Sequence, residues 1–429
     1  MYCLCSISLS RNHCLQCAAE LHNRFTRSIT SPAWGIRATG QTGSTAYTFL
    51  ATEDRGGGAI VLPGAEQSSF VRQDFRSLAL IGRVRKSFGS SFAGVLLSAR
   101  EVEGGGHNRI LGPDFTWKMT TADRLMGQYL FSSTQNPNRP KLSTLFDGRS
   151  GNGHAARFVY TRDTDNYDIF SHYIDYSPNF RADNGFMPWA DLHGTYFEYG
   201  PHFYPKNGFA SYIRPFVGAG RESAWRGGSA GFYLEGKFGT SGWIAYHPAE
   251  HDRVHGTFTR RYTFTEVHVK ANPFSFLPTM TLDGSFGERL DYLGARIGRG
   301  GSFTFTSSIR PSTHLEIAAN ISREWLNVHG SQLYSAAIDR LKATYVLNQR
   351  SLARVIAQRS NVDRTLRLYN ESVSPRDGDF TLSALYGYRV NWQTTFYVGY
   401  GDFRLLDEND RFLPSRRSVF MKASYAYQR

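Results

Sequence analysis

The segment HPAEH carries the residue types of an inverted zinc-protease motif, with His247, Glu250 and His251 in the required order. In that motif both histidines bind one metal ion while the glutamate acts as a general base, and a helix brings them together. Pro248 and the strand-like sequence on both sides are unfavourable for a helix. We therefore interpret the segment as part of a long outer loop and predict no metal site.

Five further histidines could act as a general base in a hydrolase that pairs histidine with serine or aspartate. They are His154, His172, His193, His202 and His314. No serine beside them has the sequence context of a nucleophile, and single histidines on polar strand faces usually only contribute polar surface. The sequence therefore predicts no catalytic residue and no cofactor. A hydrolase sited at the rim of an outer-membrane protein remains the enzymatic alternative.

All four cysteines, Cys3, Cys5, Cys14 and Cys17, lie within the first seventeen residues. Their two pairs could be read as a zinc site, but the spacing is short and no structural frame follows them. The start also lacks the basic region and the cleavage site of a secretory signal. We expect residues 1–32 to be an unstructured or non-native leader, and we expect an export signal, not present in this chain, to lie upstream.

The stretch SPNFRADNGFMP has two prolines and a glycine around Arg181 and Asp183, a composition that interrupts a strand ladder. We predict a bulge or inward-folded corner in which the guanidinium of Arg181 pairs with the carboxylate of Asp183 inside the lumen of a barrel. Phe180 and Phe186 would anchor this corner. The alternative, a solvated loop whose charges have no specific partner, stays open at this point.

Apolar and polar residues alternate with a period of two along most of the chain, which is the pattern of strands with two different faces. In HLEIAANISREW, for example, Leu315, Ile317, Ala319 and Ile321 share one face. The same reading fits roughly 16 to 20 segments of about 10 residues, a length suited to strands that cross a membrane at a tilt. No apolar run reaches the ~18 residues of a transmembrane helix, so a membrane crossing would require a closed barrel.

Short turns and long polar connections alternate between these segments. KSFGSS and NQRS are short, whereas the stretches 53–74 and 247–256 are long and polar. Short turns at one end and long loops at the other are typical of outer-membrane barrels. A sandwich has no such asymmetry, and a propeller would show an internal repeat. We predict an all-β fold, a single large antiparallel up-and-down transmembrane β-barrel over residues 33–429.

Aromatic side chains near the predicted strand ends fit the girdles that flank the apolar band of such barrels. They are Trp117, Tyr129, Trp243, Tyr262, Trp325, Trp392 and Tyr425. In the last strand, within SVFMKASYAYQR, Val419 and Met421 share the face of Tyr425, and we expect that face to contact lipid. We also expect this strand to close the barrel against the strand that begins near Trp34.

The net charge of +13, from 49 basic and 36 acidic residues, could attract nucleic acid, anionic lipid or lipopolysaccharide. The basic residues are dispersed along strands and loops, and the chain has neither a basic run nor an aromatic RNA-binding motif. We therefore predict no nucleic-acid partner. Outer-membrane lipid, lipopolysaccharide and the barrel-assembly machinery are the partners expected of the predicted fold.

The stretches GHNRILGPDFTWKM and YIDYSPNFRADNGFMPWADLH, together with the last strand, resemble an uncharacterised family of outer-membrane β-barrel domains. The resemblance covers Ala33–Arg429; the two internal stretches are fairly specific and the last strand is generic. In that family the barrel usually follows a β-sandwich similar to family 9 carbohydrate-binding modules, and this chain resembles the barrel part only. The resemblance implies residence in the bacterial outer membrane and an association with saccharides.

The function predicted from these observations is porin-like passage, or handling at the cell surface, of solutes. Saccharide-like compounds are suggested as the solutes only by the carbohydrate-binding module that usually precedes the barrel in the resembled family. Besides the rim-sited hydrolase, a soluble all-β binding protein remains an alternative, and it would fold without detergent.

Overall fold

The structure, a computed structural model, describes residues 29–66, 68–185, 187–407 and 409–425. Residues 1–28, which include the four cysteines of the predicted leader, and Phe186 lie outside these residues. The described part is dominated by strands, with a short 3-10 helix at Leu366–Leu368. The strands are β1 (Pro32–Thr42), β2 (Thr45–Asp54), β3 (Gly58–Leu62), β4 (Ser69–Gln73), β5 (Ser77–Phe88), β6 (Ser91–Val102), β7 (His107–Lys118), β8 (Asp123–Gln135), β9 (Ser150–Asp163), β10 (Tyr167–Tyr176), β11 (Leu192–Pro201), β12 (Ala210–Glu222), β13 (Trp225–Gly236), β14 (Thr240–Val254), β15 (Thr257–Phe258), β16 (Tyr262–Ala271), β17 (Thr279–Asp291), β18 (Arg296–Ile309), β19 (Leu315–Val328), β20 (Ser331–Asn348), β21 (Ser351–Arg364), β22 (Arg376–Arg389), β23 (Thr394–Leu406) and β24 (Phe412–Tyr425).

Within the described residues, 22 strands form one antiparallel up-and-down sheet, and β3 and β4 pair as a separate hairpin. The predicted fold class is confirmed, and the strand number exceeds the roughly 16 to 20 expected for membrane-length segments. Strands such as β11 and β21 are difficult to recognise by alternation, because glycines or charged residues interrupt it in LHGTYFEYGP and SLARVIAQRSNVDR. In the same described part, no helix is long and apolar enough to cross a membrane.

The chain divides into two compact units. The described residues up to Pro201, with Val217–Gly228 and Glu250–Phe258, form the first unit. Its strands have two different faces: Leu111 and Phe131 are exposed, whereas Ile110 and Ser132, their neighbours in sequence, are buried. We call the face with exposed apolar side chains the apolar face, and the opposite one the polar face.

The second unit comprises His202–Phe216, Ser229–Ala249 and Thr259–Arg429, of which residues 408 and 426–429 lie outside the described part. Val398 and Met421 are exposed on its apolar face. On its polar face side chains bond across strands, as where His268 Nδ1 lies 2.6 Å from Asp283 Oδ1 and Asn320 donates to Thr306 at 2.8 Å. A sheet with exposed apolar side chains on one face and bonded polar side chains on the other is suited to lipid on its apolar side.

Connections differ at the two ends of the strands. At one end, which we call the short-turn end, residues 43–44 and 89–90 join β1 to β2 and β5 to β6 in the first unit, and residues 349–350 and 390–393 join β20 to β21 and β22 to β23 in the second. At the other, the long-loop end, the connections span residues 55–76, 136–149 and 177–191. This asymmetry agrees with the short and long connections expected from the sequence.

The expectation of an outer loop around HPAEH is wrong. β14 continues to Val254, and the turn consists of His255 and Gly256, which have positive φ of 49° and 82°. Glu250 and Asp252 are buried on this strand, so the polar run contributes to the interior of the first unit. Composition misled the interpretation because polar residues on a buried polar face resemble those of a loop.

Two of the predicted girdle aromatics do not lie in a girdle. Tyr262 is only 7% exposed, and Trp243 stacks on His268, with ring centroids 6.2 Å apart, on the polar face. Trp117 and Trp392, by contrast, are 55% and 68% exposed near the short-turn end. Closure between the last strand and the first remains a prediction.

Candidate functional site

The connection between β10 and β11, Ser177–Asp191, folds back over the polar face of the first unit, and we call it the inner segment. Phe180 is fully buried in a cluster with Ile110, Leu130 and Ala155, which belong to β7, β8 and β9. These three residues lie on the face opposite the exposed apolar side chains. The segment is therefore a loop docked on the polar face.

Arg181 and Asp183 are paired within this segment. Arg181 donates from Nε to Asp183 Oδ1 at 2.6 Å and from Nη2 to Oδ2 at 2.8 Å, a two-point contact that fixes the guanidinium in one plane. A third bond runs from Arg181 Nη1 to Asn136 Oδ1 at 2.5 Å. The structure thus brings Phe180, Arg181 and Asp183 together, while Phe186 lies outside the described residues.

Arg100 of β6, which the sequence did not single out, lies under the inner segment and is fully buried. It donates to Asp54 Oδ2 at 3.1 Å, to Ser77 Oγ at 3.1 Å and to the backbone oxygen of Asp183 at 3.3 Å. Its polar character on a strand could have predicted an inward position. Its partners could not be predicted, because Asp54 and Asp183 are far away in sequence.

Two asparagines fasten the segment to the sheet. Asn108 donates to the backbone oxygen of Arg181 at 3.0 Å and accepts from the backbone N–H of Asp183 at 2.9 Å. Asn184 donates to Ser98 Oγ at 3.1 Å and to the backbone oxygen of Ala99 at 2.8 Å. Because buried polar groups need partners, these bonds specify one position of the segment on the sheet.

The long loop that contains the β3–β4 hairpin holds the segment from another side. Ser68 donates to the backbone oxygen of Pro188 at 2.6 Å, and the backbone N–H of Ala190 donates to the backbone oxygen of Gly64 at 3.2 Å. The hairpin has its own apolar core, in which Ile60 and Phe146 are nearly or fully buried. The segment is therefore fixed between the sheet and an ordered loop.

The loop at residues 136–149 connects to the same network. Asn136, which accepts the bond from Arg181, donates to Asp147 Oδ1 at 2.9 Å. Hydrogen bonds from the Asn136 side chain and from the Arg149 backbone N–H hold the pKa of Asp147 below its ordinary value. The Asp147 carboxylate accepts from the Asn136 amide and so orients Asn136 Oδ1 towards Arg181.

Two of the five histidines proposed as bases contact a carboxylate. His154 Nε2 lies 3.2 Å from Asp175 Oδ2, and His172 Nε2 lies 3.4 Å from Glu222 Oε1. Histidine–carboxylate pairs alone lack the nucleophile of a hydrolase. In the described part of the chain, no group of three or more His, Cys, Asp or Glu side chains is arranged to hold a metal ion.

An aromatic cluster lies in the second unit near the short-turn end. The ring centroid of Tyr212 is 5.3 Å from those of both His202 and Tyr204, and 5.9 Å from that of Tyr233. Tyr233 donates to Glu235 Oε1 at 2.7 Å. Phe232, which directly precedes Tyr233 on β13, is exposed on the apolar face. By strand alternation Tyr233 and its cluster therefore lie on the polar face.

A glycine on β9 makes the docking of the inner segment possible. A Cβ at Gly153 would lie within about 2.6 Å of backbone atoms of Asn179 and Phe180, a clash that the backbone cannot relieve locally. We predict that Gly153→Ala lowers the free energy of unfolding by about 1–3 kcal/mol and increases proteolysis within the segment. The matched control is Gly151→Ala on the same face of β9, whose Cβ would meet only Asn179 side-chain atoms at 3.6 Å or more. Equal protease resistance of the two variants would contradict the prediction.

Neither a protein-family model nor a curated protein matches the sequence. Among solved structures the chain is similar to the copper transporter OprC, with a TM-score of 0.52 at 10% identity over 89% of this chain and 76% of that one. It is similar to a mutant of the ferric enterobactin receptor PfeA from Pseudomonas aeruginosa, with a TM-score of 0.49 at 7% identity over 86% and 71%. A third similarity is to the outer-membrane channel DcaP of Acinetobacter baumannii, with a TM-score of 0.30 at 11% identity over 91% and 100%.

The likeness to OprC establishes the fold and nothing finer. The chain has the fold of outer-membrane β-barrel proteins. The carbohydrate-binding module and the particular family of the resemblance have no counterpart in these comparisons.

Proposed function

We propose that this chain is an outer-membrane β-barrel that passes polar solutes along its polar faces, with the inner segment narrowing the path. The observation that carries the proposal is the docking of Ser177–Asp191 on the polar face through buried bonds of Arg181, Asn108 and Asn184. A loop fixed in this way narrows the path without closing and opening. The outer-membrane lipid and the barrel-assembly machinery are the partners this function needs.

The aromatic cluster supports saccharide-like compounds as the solute class. Sugar rings present apolar C–H faces that stack on aromatic rings, and their hydroxyls bond to carboxylates and phenols. Tyr204 is 58% exposed and adjoins Tyr212, while Glu235 supplies a nearby carboxylate. The cluster thus combines both kinds of contact on a polar face.

The test is single-channel conductance of the full chain, refolded in detergent and inserted into a planar bilayer, with maltotriose as the probe. We expect discrete conductance that maltotriose blocks reversibly. We expect Tyr212→Ala to weaken this block about tenfold, since an aromatic stacking surface is lost. Phe232→Ala is the matched control, because it removes a ring from the apolar face of the neighbouring strand.

The negative outcomes of this test contradict different parts of the proposal. Folded protein that gives no conductance would contradict solute passage and favour the rim-sited hydrolase, for which His154 and His172 would be the first variants. Equal block in the Tyr212 and Phe232 variants would contradict the saccharide class while leaving solute passage intact. A chain that folds without detergent would overturn the membrane proposal altogether.

A further inference from the structure

Arginines interrupt the apolar face of the second unit. They lie towards the long-loop end of five strands and form what we call the arginine belt: Arg299 of β18, Arg323 of β19, Arg359 of β21, Arg404 of β23 and Arg417 of β24. Strand alternation places each on the apolar face. Arg359 shares a face with the exposed Val355, and Arg417 shares one with the exposed Val419.

Cross-strand pairing aligns the belt. Arg359 pairs with Phe380 of β22, which pairs with Arg404 of β23, so these three residues form one row. Asp402, two positions from Arg404, pairs with Arg417. Side chains in such a row project from the same face, so the guanidinium groups form one charged surface.

The level of the belt matches the edge of a membrane. Each arginine lies about eight to ten residues from the short-turn end of its strand, which at ~3.3 Å per residue and a tilt of roughly 40° is about 20–25 Å. The apolar band of outer-membrane barrels is about 25 Å tall. An arginine on the lipid face costs about 2–4 kcal/mol at the midplane but only about 0–1 kcal/mol near the interface. Five arginines are therefore tolerable only at the headgroup level of the outer leaflet.

The belt has more positive than negative charge. Arg323 donates to Asp339 at 2.8 Å. Arg404 and Arg417 share Asp402, at 2.7 Å and 3.7 Å. Among the described residues, Arg299 and Arg359 have no carboxylate within ion-pair distance; Arg359 instead lies over the ring of Phe412, 5.6 Å from its centroid.

Charges beside the belt do not cancel this surplus. Glu288, in the same row as Arg299, accepts from Arg260 at 2.9 Å. Two rows further along the same face from Arg359 and Phe380, Arg376 contacts both Asp363 and Asp410. The belt itself, with five arginines against Asp339 and Asp402, therefore keeps an excess of positive charge.

An open pocket of about 540 Å³ adjoins Arg299 on this face. Trp325 and Asn327 form its wall, and Gly287, with φ of 137°, lies in its floor. A Cβ at Gly287 would lie 2.8 Å from Phe264 Cα, so no larger residue could replace this glycine without shifting the strand. The pocket offers a guanidinium beside an aromatic wall.

We propose that the arginine belt binds the phosphate groups of lipid A, the membrane anchor of lipopolysaccharide, in the outer leaflet. Guanidinium groups match phosphate geometry with two parallel bonds and are the side chains suited to this ligand. Arg299 and Arg359 supply the uncompensated charge, and the exposed apolar side chains below them, such as Val355 and Val398, contact the acyl chains. The proposal rests on the outer-membrane setting and does not depend on which solute the barrel passes.

The test measures binding of diphosphoryl lipid A to the full chain in detergent micelles by isothermal titration calorimetry. We expect saturable binding that weakens about tenfold or more in the variant Arg299→Gln/Arg359→Gln, since charge-assisted bonds to two phosphates are lost. Neither substitution leaves a carboxylate unpaired, so the variant should fold, as heat-modifiable gel mobility will show. The matched control is Arg340→Gln/Arg354→Gln, which removes two exposed arginines from the opposite face of β20 and β21.

Wild-type protein alone provides a second test, with dephosphorylated lipid A as the probe. Binding that is equal with and without the phosphates would overturn the proposal, and so would equal weakening by the two double variants. Full competition by millimolar inorganic phosphate would identify a site for free anions instead of lipid. Tight binding of only the phosphorylated lipid, lost only in the apolar-face variant, would support it.

Discussion

Arg100→Met is expected to lower the free energy of unfolding by about 3–5 kcal/mol, since removing one partner of a buried ion pair leaves the other charge uncompensated. The partner left behind is Asp54, which is fully buried. It would keep bonds from the Ser31 backbone N–H at 2.8 Å and from Gln73 Nε2 at 3.3 Å, but neither donor is a cation. The substitution therefore removes the charge that makes a buried carboxylate tolerable.

The measurement is the urea concentration at which the protein in detergent loses its heat-modifiable gel mobility. The double variant Arg100→Met/Asp54→Asn should recover much of the lost stability, because a buried pair can often be replaced by neutral residues at little cost. Arg109→Gln is the control, since Arg109 forms an exposed pair with Glu101 on the apolar face and should change stability little. If Arg100→Met and Arg109→Gln unfold at the same urea concentration, the buried pair of Arg100 and Asp54 contributes no more to stability than the exposed pair.

The sequence predicted the sheet well because its information is local. A period of two is visible within one strand: Ile321, one of the four residues predicted to share a face, is exposed, whereas its neighbour Asn320 bonds to Thr306 on the polar face. The same local reading failed where polar residues face the interior. The run from His247 to Val254 looked like a loop because periodicity cannot tell a buried polar face from a solvated one.

The candidate site was predictable only in its local part. Arg181 and Asp183 are two positions apart, so their ion pair could be predicted from the composition of one short stretch. Arg100 meets Asp54 across 46 positions and the backbone of Asp183 across 83, and no feature of the sequence links such distant residues. The arginine belt was missed for a related reason. In the sequence each arginine only interrupts the apolar pattern of its own strand, and only the cross-strand pairing shows that the five lie at one level of the sheet.

Arg181→Ala is expected to release the inner segment and to widen the path along the polar face. The substitution leaves the carboxylate of Asp183, only 3% exposed, without its two-point partner, and it also removes the bond to Asn136. A loss of about 3 kcal/mol is typical of a broken buried pair, and at ~1.4 kcal/mol per tenfold it shifts the docked-to-released ratio about 100-fold. Single-channel conductance should rise and fluctuate more, and proteinase K should cut within Ser177–Asp191.

The comparison variant is Arg72→Ala in the β3–β4 hairpin at the same end of the strands, where the side chain is 81% exposed and pairs with Asp74. It removes the same charge from the long-loop end without touching the buried network, so a purely electrostatic effect on permeation would appear in both variants. Release of the segment would appear only in Arg181→Ala. Should Arg181→Ala fold normally and conduct like the wild type, the paired corner would be a structural detail that sets no constriction, and the narrowing of the path would have to come from other loops.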